Sequence, residues 1–286
     1  MVTDWADLHV HTTASDGVYS PEEAVEKAIE KGLSAIAIAD HDNVSGIQPA
    51  MRKAAALRSI VVVPAVELSC EWHSLDIHIL GYFIDVGSPG MVDFFNALLN
   101  ARLRRLRKMV SRLAALGVPI TEQEVLAQAG AGAVGRPHLA RILVQKGFAQ
   151  TEGEAFSVFL ERGRPAYVER YKLTPENAIR KVSEWGGVPF LAHPGLGPVP
   201  EPYIRQLVLA GLRGLEVKHP SHSSDQVAFY TELARQLGLL LSGGSDTHGP
   251  EGEWSNDVGD VKVPMEWVRS IEAARRSRGE TRGSQD

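Results

Sequence analysis

Histidines and carboxylates recur along this chain in short clusters: His9-Val10-His11 near the start, Asp40-His41-Asp42, single Glu67, His78 and His193, and Asp246-Thr247-His248 near the end. Imidazole nitrogens and carboxylate oxygens are the donors that divalent cations take. With no thiolate in the set, the pattern suits manganese, iron, zinc or magnesium rather than copper(I) or an iron-sulfur cluster. A spacing of two on an extended strand turns His9 and His11 to one face, where they can chelate one ion. Alone, that pair is equally compatible with a satisfied surface pair. Its company changes the balance, because ionisable groups following apolar runs, as at 40–42 and 246–248, are costly to desolvate unless a cation offsets the cost.

Elements that could position these residues are visible as short apolar runs at Ala6–Leu8, Ser34–Ala39, Ile60–Val66, Ile77–Tyr82, Val188–Ala192, Gly214–Val217 and Leu239–Leu241. Such runs read as buried strands of a parallel sheet. Helical stretches lie between most of them, with start signals at Ser20-Pro21-Glu22-Glu23 and Thr174-Pro175-Glu176. Alternating strands and helices predict an α/β barrel or open sheet. Nearly every candidate ligand then follows the C-terminal end of a strand, the edge on which barrel sites are assembled. His78 falls within or beside the fourth strand, where alternation could point it inward.

One region breaks the rhythm. From about Gly90 to about Tyr171 the pattern is helical, punctuated at Gly117-Val118-Pro119, Gly130-Ala131-Gly132 and Gly163-Arg164-Pro165. The organisation predicted is a strand-and-helix domain in two parts, 1–89 and 172–275, a helical insertion at 90–171, and a mobile polar tail at 276–286. Within the insertion, Leu99, Leu103, Leu106, Val110 and Leu113 form an apolar stripe of a helix packed on the barrel. Arg102, Arg104, Arg105, Arg107, Lys108 and Arg112 occupy its other faces, and a basic face of this kind is usually solvated.

The bulk properties exclude several classes. The formal charge is -5, with 30 basic and 35 acidic residues among 286, so no nucleic-acid-coating or membrane-surface protein is indicated and no stable nucleic-acid complex is expected. No apolar run approaches the roughly 20 residues of a membrane span. The one cysteine, Cys70, cannot form an intramolecular disulfide, and the first residues lack the pattern of a signal peptide, so a cytoplasmic setting is expected.

The motifs together resemble those of the polymerase and histidinol phosphatase (PHP) phosphoesterases. The resemblance is carried by Asp7-Leu8-His9-Val10-His11 with Ser15-Asp16-Gly17, Ala39-Asp40-His41-Asp42, Glu67 in Val66-Glu67-Leu68-Ser69, and His78 in Ile77-His78-Ile79-Leu80-Gly81-Tyr82. It continues through Ala192-His193-Pro194 to Gly244-Ser245-Asp246-Thr247-His248-Gly249, and so spans the chain. It implies a distorted (β/α)7 TIM-like barrel holding two or three divalent metal ions, manganese foremost. His9, His11, Glu67 and Asp246 would hold one ion, Glu67, His78 and His193 a second, and Asp16, His41 and His248 a third. Glu67 is then the bridge, and Glu67, His193, Asp246 and His248 are the residues expected to act in catalysis. Asp40 is expected to accept a proton from a ligand histidine, while Asp42 is read equally well as a helix cap.

The insertion and its Gly135-Arg136-Pro137-His138 resemble the nucleotide-phosphatase branch of the family. That branch implies removal of the 3'-phosphate of 3',5'-bisphosphonucleotides and 5'-3' degradation of short 5'-phosphorylated oligonucleotides. Two ions about 3.5–4 Å apart would acidify a water towards pKa ~7 and clamp the attacking and leaving oxygens, so no serine or cysteine nucleophile is required. Arg136 and His138 are candidates for substrate phosphate, though Arg-Pro-His also suits a helix start. On the catalytic edge, His222 matches a phosphate-contacting histidine better than His219. The competing readings are a phosphatase of another small phosphomonoester such as histidinol phosphate, a non-catalytic PHP interaction module, and an amidohydrolase.

Overall fold

A computed structural model describes residues 4–73, 75–129, 134–169, 173–197, 199–250 and 256–282. It divides into two compact units, residues 1–91 with 173–286, and residues 92–172. The break expected at Gly130-Ala131-Gly132, and Tyr171 at the expected domain boundary, lie outside the described residues.

The first unit is built on β1 (Trp5–Val10), β2 (Ala35–Ile38), β3 (Val61–Trp72), β4 (Leu75–Tyr82), β5 (Val188–Leu191), β6 (Gly214–Lys218), β7 (Leu240–Gly243) and β8 (Val263–Pro264). They form one sheet in the order β7-β6-β5-β4-β3-β2-β1-β8. A parallel bridge between Val10 and Thr247 brings the segment after β7 beside β1, so the sheet nearly closes into a barrel. Helices α1 (Pro21–Glu30) and α2 (Ile47–Leu57) follow β1 and β2. Ser20 caps α1 through a reciprocal pair: its hydroxyl accepts from Glu23 N–H, and the Glu23 carboxylate accepts from Ser20 N–H.

The sheet is not wholly parallel, contrary to the sequence expectation. A tight reversal at His73, with φ 44°, returns the chain directly, so β3 and β4 pair antiparallel from Ala65–Tyr82 to Trp72–Leu75, and β4 also runs antiparallel to β5. A parallel pairing would need a crossover of about a dozen residues. The expected third strand ends at Val66, but β3 runs on to Trp72, which places Glu67 inside a strand rather than after its end; His78 lies within β4. β8, two residues paired antiparallel to β1, is too short to show as a hydrophobic run.

Inward positions of the sheet change from apolar to polar along β3 and β4. Ala65, Leu80, Tyr82 and Phe190 belong to the buried apolar cluster, and the next inward positions on β3 and β4 are Glu67 and His78. The Phe190 ring meets Tyr82 edge-on at 5.0 Å and lies against the backbone of Gly214, where an added Cβ would come within 2.0 Å of it.

The second unit contains α3 (Met91–Ala115, its first residue in the barrel unit), α4 (Glu122–Ala129), α5 (Arg136–Gln145), α6 (Glu152–Ala155) and a π-helical turn at Phe156–Leu160. Its core includes Leu106, Met109, Leu113, Val125, Leu139 and Leu143. The apolar stripe of α3 thus packs into the insertion's own core, and Leu99, expected on that stripe, is 42% exposed. Several arginines of α3 tie down local structure: Arg105 donates to Val168 O at 2.6 Å, Arg112 to Tyr167 O, and Arg107 pairs with Glu122.

The chain returns to the first unit through α7 (Pro175–Glu184), α8 (Glu201–Leu209), α9 (Ser224–Leu237) and α10 (Met265–Arg282). The tail expected from residue 276 includes the end of α10, which runs to Arg282, and residues 283–286 lie outside the described residues. Val268 and Ile271 anchor α10 in the apolar cluster, and Glu272 pairs with Arg276 one turn on. Among the described residues no helix is long and apolar enough to cross a membrane.

The Phe190–Gly214 contact predicts that Gly214→Ala lowers stability by about 1–3 kcal/mol, the usual cost of overpacking a tight core. Urea unfolding measures it, and a loss below about 0.5 kcal/mol, within the range of ordinary surface substitutions, would show that the ring yields freely.

Candidate metal centre

The site begins with an irregularity in β1. Against β2 the register moves from Asp7–Ile36 to Val10–Ile38, one extra residue on β1. Such a bulge re-aims side chains. Leu8 remains in the apolar cluster, while the ring of the very next residue, His9, reaches Glu67 and Glu216. Asp7 locks the junction: its Oδ1 accepts from the N–H groups of His9 and Ser245, and its Oδ2 accepts from Gly259 N–H. Burial pushes the Asp7 carboxyl up to about 6. At Gly244 a Cβ would meet His9 N at 2.3 Å, so only glycine lets the segment after β7 lie on β1. Asp246 follows with φ 49°, its N–H donating to His9 O.

Glu67 lies at the centre. A backbone bridge between His41 and Glu67 holds the end of β2 beside it. Its Oε2 is 2.9 Å from His41 Nδ1 and 3.4 Å from the Nε2 atoms of both His9 and His11. Its Oε1 is 2.8 Å from His78 Nδ1 and 3.0 Å from His193 Nε2. Asp246 Oδ1 lies 2.9 Å from His11 Nε2 and 3.3 Å from His9 Nε2. Burial opposes ionisation of Glu67, but His41, His78 and His9 outweigh it and hold the carboxyl well below its usual range. Asp246 is likewise held low against burial, by His9 and His11.

Three donor groups result: His9, His11, Glu67 and Asp246; His41, Glu67 and His78; and His11, Asp16, His41 and His248. His193 joins the second through Glu67 and lies 3.3 Å from His78 Nδ1. In the third, His248 Nε2 is 3.4 Å from Asp16 Oδ1. Burial would lower the His248 pKa, but the Asp16 carboxylate raises it to about 10, whereas burial and the neighbouring His248 bring His11 down to about 4. All nine residues expected as ligands therefore converge.

The donor set fits divalent ions. Glu67 Oε2, Asp246 Oδ1 and His41 Nδ1 are buried without a hydrogen bond, and the Nε2 atoms of His9 and His11 face each other at 3.1 Å. Lone pairs converging in this way are costly unless a cation sits at their focus.

The surrounding assignments change. Asp40 accepts from no histidine; it accepts from Thr12 N–H, the Thr12 hydroxyl and the Ser15 hydroxyl at 2.6–2.8 Å, fixing the turn that carries Asp16. Glu216 makes the histidine contact instead, its Oε1 2.9 Å from His9 Nδ1. Asp42 caps no helix, since α2 starts after Gly46, and it accepts from Ser69 N–H. His222 has both ring nitrogens engaged, one accepting from Gly195 N–H and the other donating to Val217 O, so it braces the loop after β5. His219 is the one that reaches the centre: its Nδ1 accepts from Ser221 N–H, so its Nε2–H donates to Asp246 Oδ2 at 3.0 Å. Sequence reasoning missed Glu216 and Asp7, although each is a lone carboxylate inside an apolar strand, which burial costs make suspicious.

The two insertion residues lie in the first turn of α5. His138 is buried at the start of α5 with Nδ1 accepting from Gly135 N–H, as a helix start requires, and Arg136 lies over the Phe156 ring at 5.6 Å.

Comparison with known proteins finds relatives over most of the chain. The model of the PHP domain matches residues 7–164. The chain is 38% identical over 250 residues to the 5'-3' exoribonuclease Rnm of Salmonella typhimurium, covering 85% of each. To the 3',5'-nucleoside bisphosphate phosphatase of Chromobacterium violaceum it is 33% identical over 261 residues, covering 90% of this chain and 91% of that one. A solved structure assigned as a metal-dependent phosphoesterase from Bifidobacterium adolescentis superposes with TM-score 0.86 at 30% identity, over 94% of this chain and 96% of its own.

Because Glu67 touches two of the donor groups, its loss should empty more than one ion position. Titration calorimetry of metal-free Glu67→Ala with manganese should show affinity reduced by more than the roughly 10–100-fold expected for losing an outer partner. Wild-type stoichiometry and affinity in the variant would exclude a bridging role.

Proposed function

The chain belongs to the PHP domain family, and on that premise we propose that it is a metal-dependent phosphoesterase of nucleotides, removing the 3'-phosphate of 3',5'-bisphosphonucleotides and shortening 5'-phosphorylated oligonucleotides from the 5' end. The observation that carries this reading is the sharing of Glu67 between adjacent donor groups, which calls for neighbouring ions, the arrangement suited to in-line phosphoryl displacement. The relatives supply the nucleotide.

Divalent ions would be held by His9, His11, Glu67 and Asp246, by Glu67, His78 and His193, and by Asp16, His41 and His248, and when bound would supply Lewis acidity that neutralises phosphoryl charge and acidifies water. We favour manganese, with two or three positions filled. The chain's own groups do the rest. Glu67 and Asp246 present anionic oxygens whose protons are already lost. His219 orients Asp246 by donating to Oδ2, which leaves Oδ1 for the centre. Phosphate recognition falls to Arg136, whose guanidinium can bind two oxygens at once. The apolar layer beneath the donors, with Leu80, Tyr82 and Phe190, keeps water from reaching them from below and strengthens their interactions with charge.

The test is a panel of 3',5'-bisphosphoadenosine, mononucleotides, histidinol phosphate and short 5'-phosphorylated oligonucleotides, with the manganese-loaded protein and product identification. Bisphosphonucleotide and oligonucleotide should be turned over fastest; preference for histidinol phosphate, or turnover of amides alone, would overturn the reading. In the same assay Arg136→Ala should raise KM with little change in kcat, and an unchanged KM for every nucleotide would remove Arg136 from recognition.

A further inference from the structure

Glu216 is fully buried in β6, between Leu215 and Val217, and both of its oxygens are committed. Oε1 lies 2.9 Å from Nδ1 of His9, and Oε2 accepts the backbone N–H of His193 at 2.7 Å. These two residues belong to different parts of the centre. His9 faces Glu67 Oε2 and Asp246 Oδ1, whereas His193 faces Glu67 Oε1 and His78.

Resting on the metal-dependent reading above, we infer that Glu216 is a positioning residue that couples two ion positions by fixing one arm of each. A carboxylate only accepts, so the proton it shares with His9 resides on Nδ1 and the ring turns a bare Nε2 to the centre. His193 has φ 23°, a conformation that a residue other than glycine keeps only where its surroundings hold it. The bond from its N–H to Oε2 is such a hold, and it sets the ring with Nε2 3.0 Å from Glu67. β1, which carries His9, and β5, which His193 follows, are not neighbours in the sheet. Glu216 reaches both from β6. With both oxygens occupied, it stands behind the donors rather than among them.

The substitution that separates positioning from support is Glu216→Gln. The amide has one oxygen and one NH2, so it can accept from His9 or from His193 but not from both, and the bond it keeps loses the charge that strengthened it. The full-length, metal-free protein would be titrated with manganese by calorimetry. Histidine tautomers would be read from 15N–1H correlation spectra of the imidazole rings, and folding checked by urea denaturation. The expected result is a folded variant whose affinity falls about 10–100-fold for both ions together, with altered tautomer populations at His9. Glu216→Asp, one methylene shorter, keeps the charge but draws both oxygens back from His9 and His193, and should show the same joint weakening; it carries the test if the glutamine variant does not fold. Unchanged manganese affinity, or weakening of a single ion with the His9 tautomer intact, would overturn the coupling role. If the wild-type protein binds no divalent ion, the metal-dependent reading fails and this inference with it, an outcome distinct from an unchanged variant.

Discussion

A single carboxylate buried among five imidazoles sets the terms for this molecule. Glu67 has His9, His11 and His41 on one oxygen and His78 and His193 on the other. Its burial would be prohibitive for an isolated charge. Protons alone do not resolve the cluster well, because carboxylate oxygens and ring nitrogens at its focus lie close together without directed hydrogen bonds. Divalent cations would resolve it, supplying positive charge where the lone pairs point. On this view the centre would be held together by the ions it binds, and the fold's task is to bring the donors close enough to need them.

That task explains several local departures from regular structure. The extra residue in β1 turns His9 inward directly after a core leucine. Gly244 allows the segment after β7 to lie on the backbone of His9, and Asp7 staples the two. Asp42, His193 and Asp246, all at or beside the donor groups, have positive φ without being glycine. Strain of this kind costs on the order of 1–3 kcal/mol per residue and persists only where surrounding bonds over-determine it. The bonds are present: Asp42 N–H to Glu67 O, His193 N–H to Glu216, and Asp246 N–H to His9 O.

Much of this was legible in the sequence because metal-ligand chemistry restricts residue types so severely. Seven strand positions, the helical character of the insertion, and the convergence of His9, His11, Glu67, His78, His193 and Asp246 all follow from apolar runs and donor spacing, sharpened by the family resemblance. The continuation of β3 past Val66 was hidden because its inward positions, Glu67, Ser69 and Glu71, are polar. They still alternate with Leu68, Cys70 and Trp72, a period-two signal that an apolar-run criterion overlooks. The antiparallel hairpin depended on a reversal at His73, which carries no glycine or proline to mark it. Choosing among Asp40, Glu216 and Asp7 for the outer contacts required three-dimensional information, since each is simply a buried acid in or after an apolar strand. The same holds for His219 against His222: both follow β6, and only the fold shows which ring meets Asp246.

The central claim is that Glu67 is shared by neighbouring ions, and electron paramagnetic resonance of the protein loaded with two equivalents of manganese(II) tests it most directly. Two ions bridged by one carboxylate should give the multiline spectrum of an exchange-coupled pair. A spectrum made up only of isolated six-line manganese signals at full loading would contradict it.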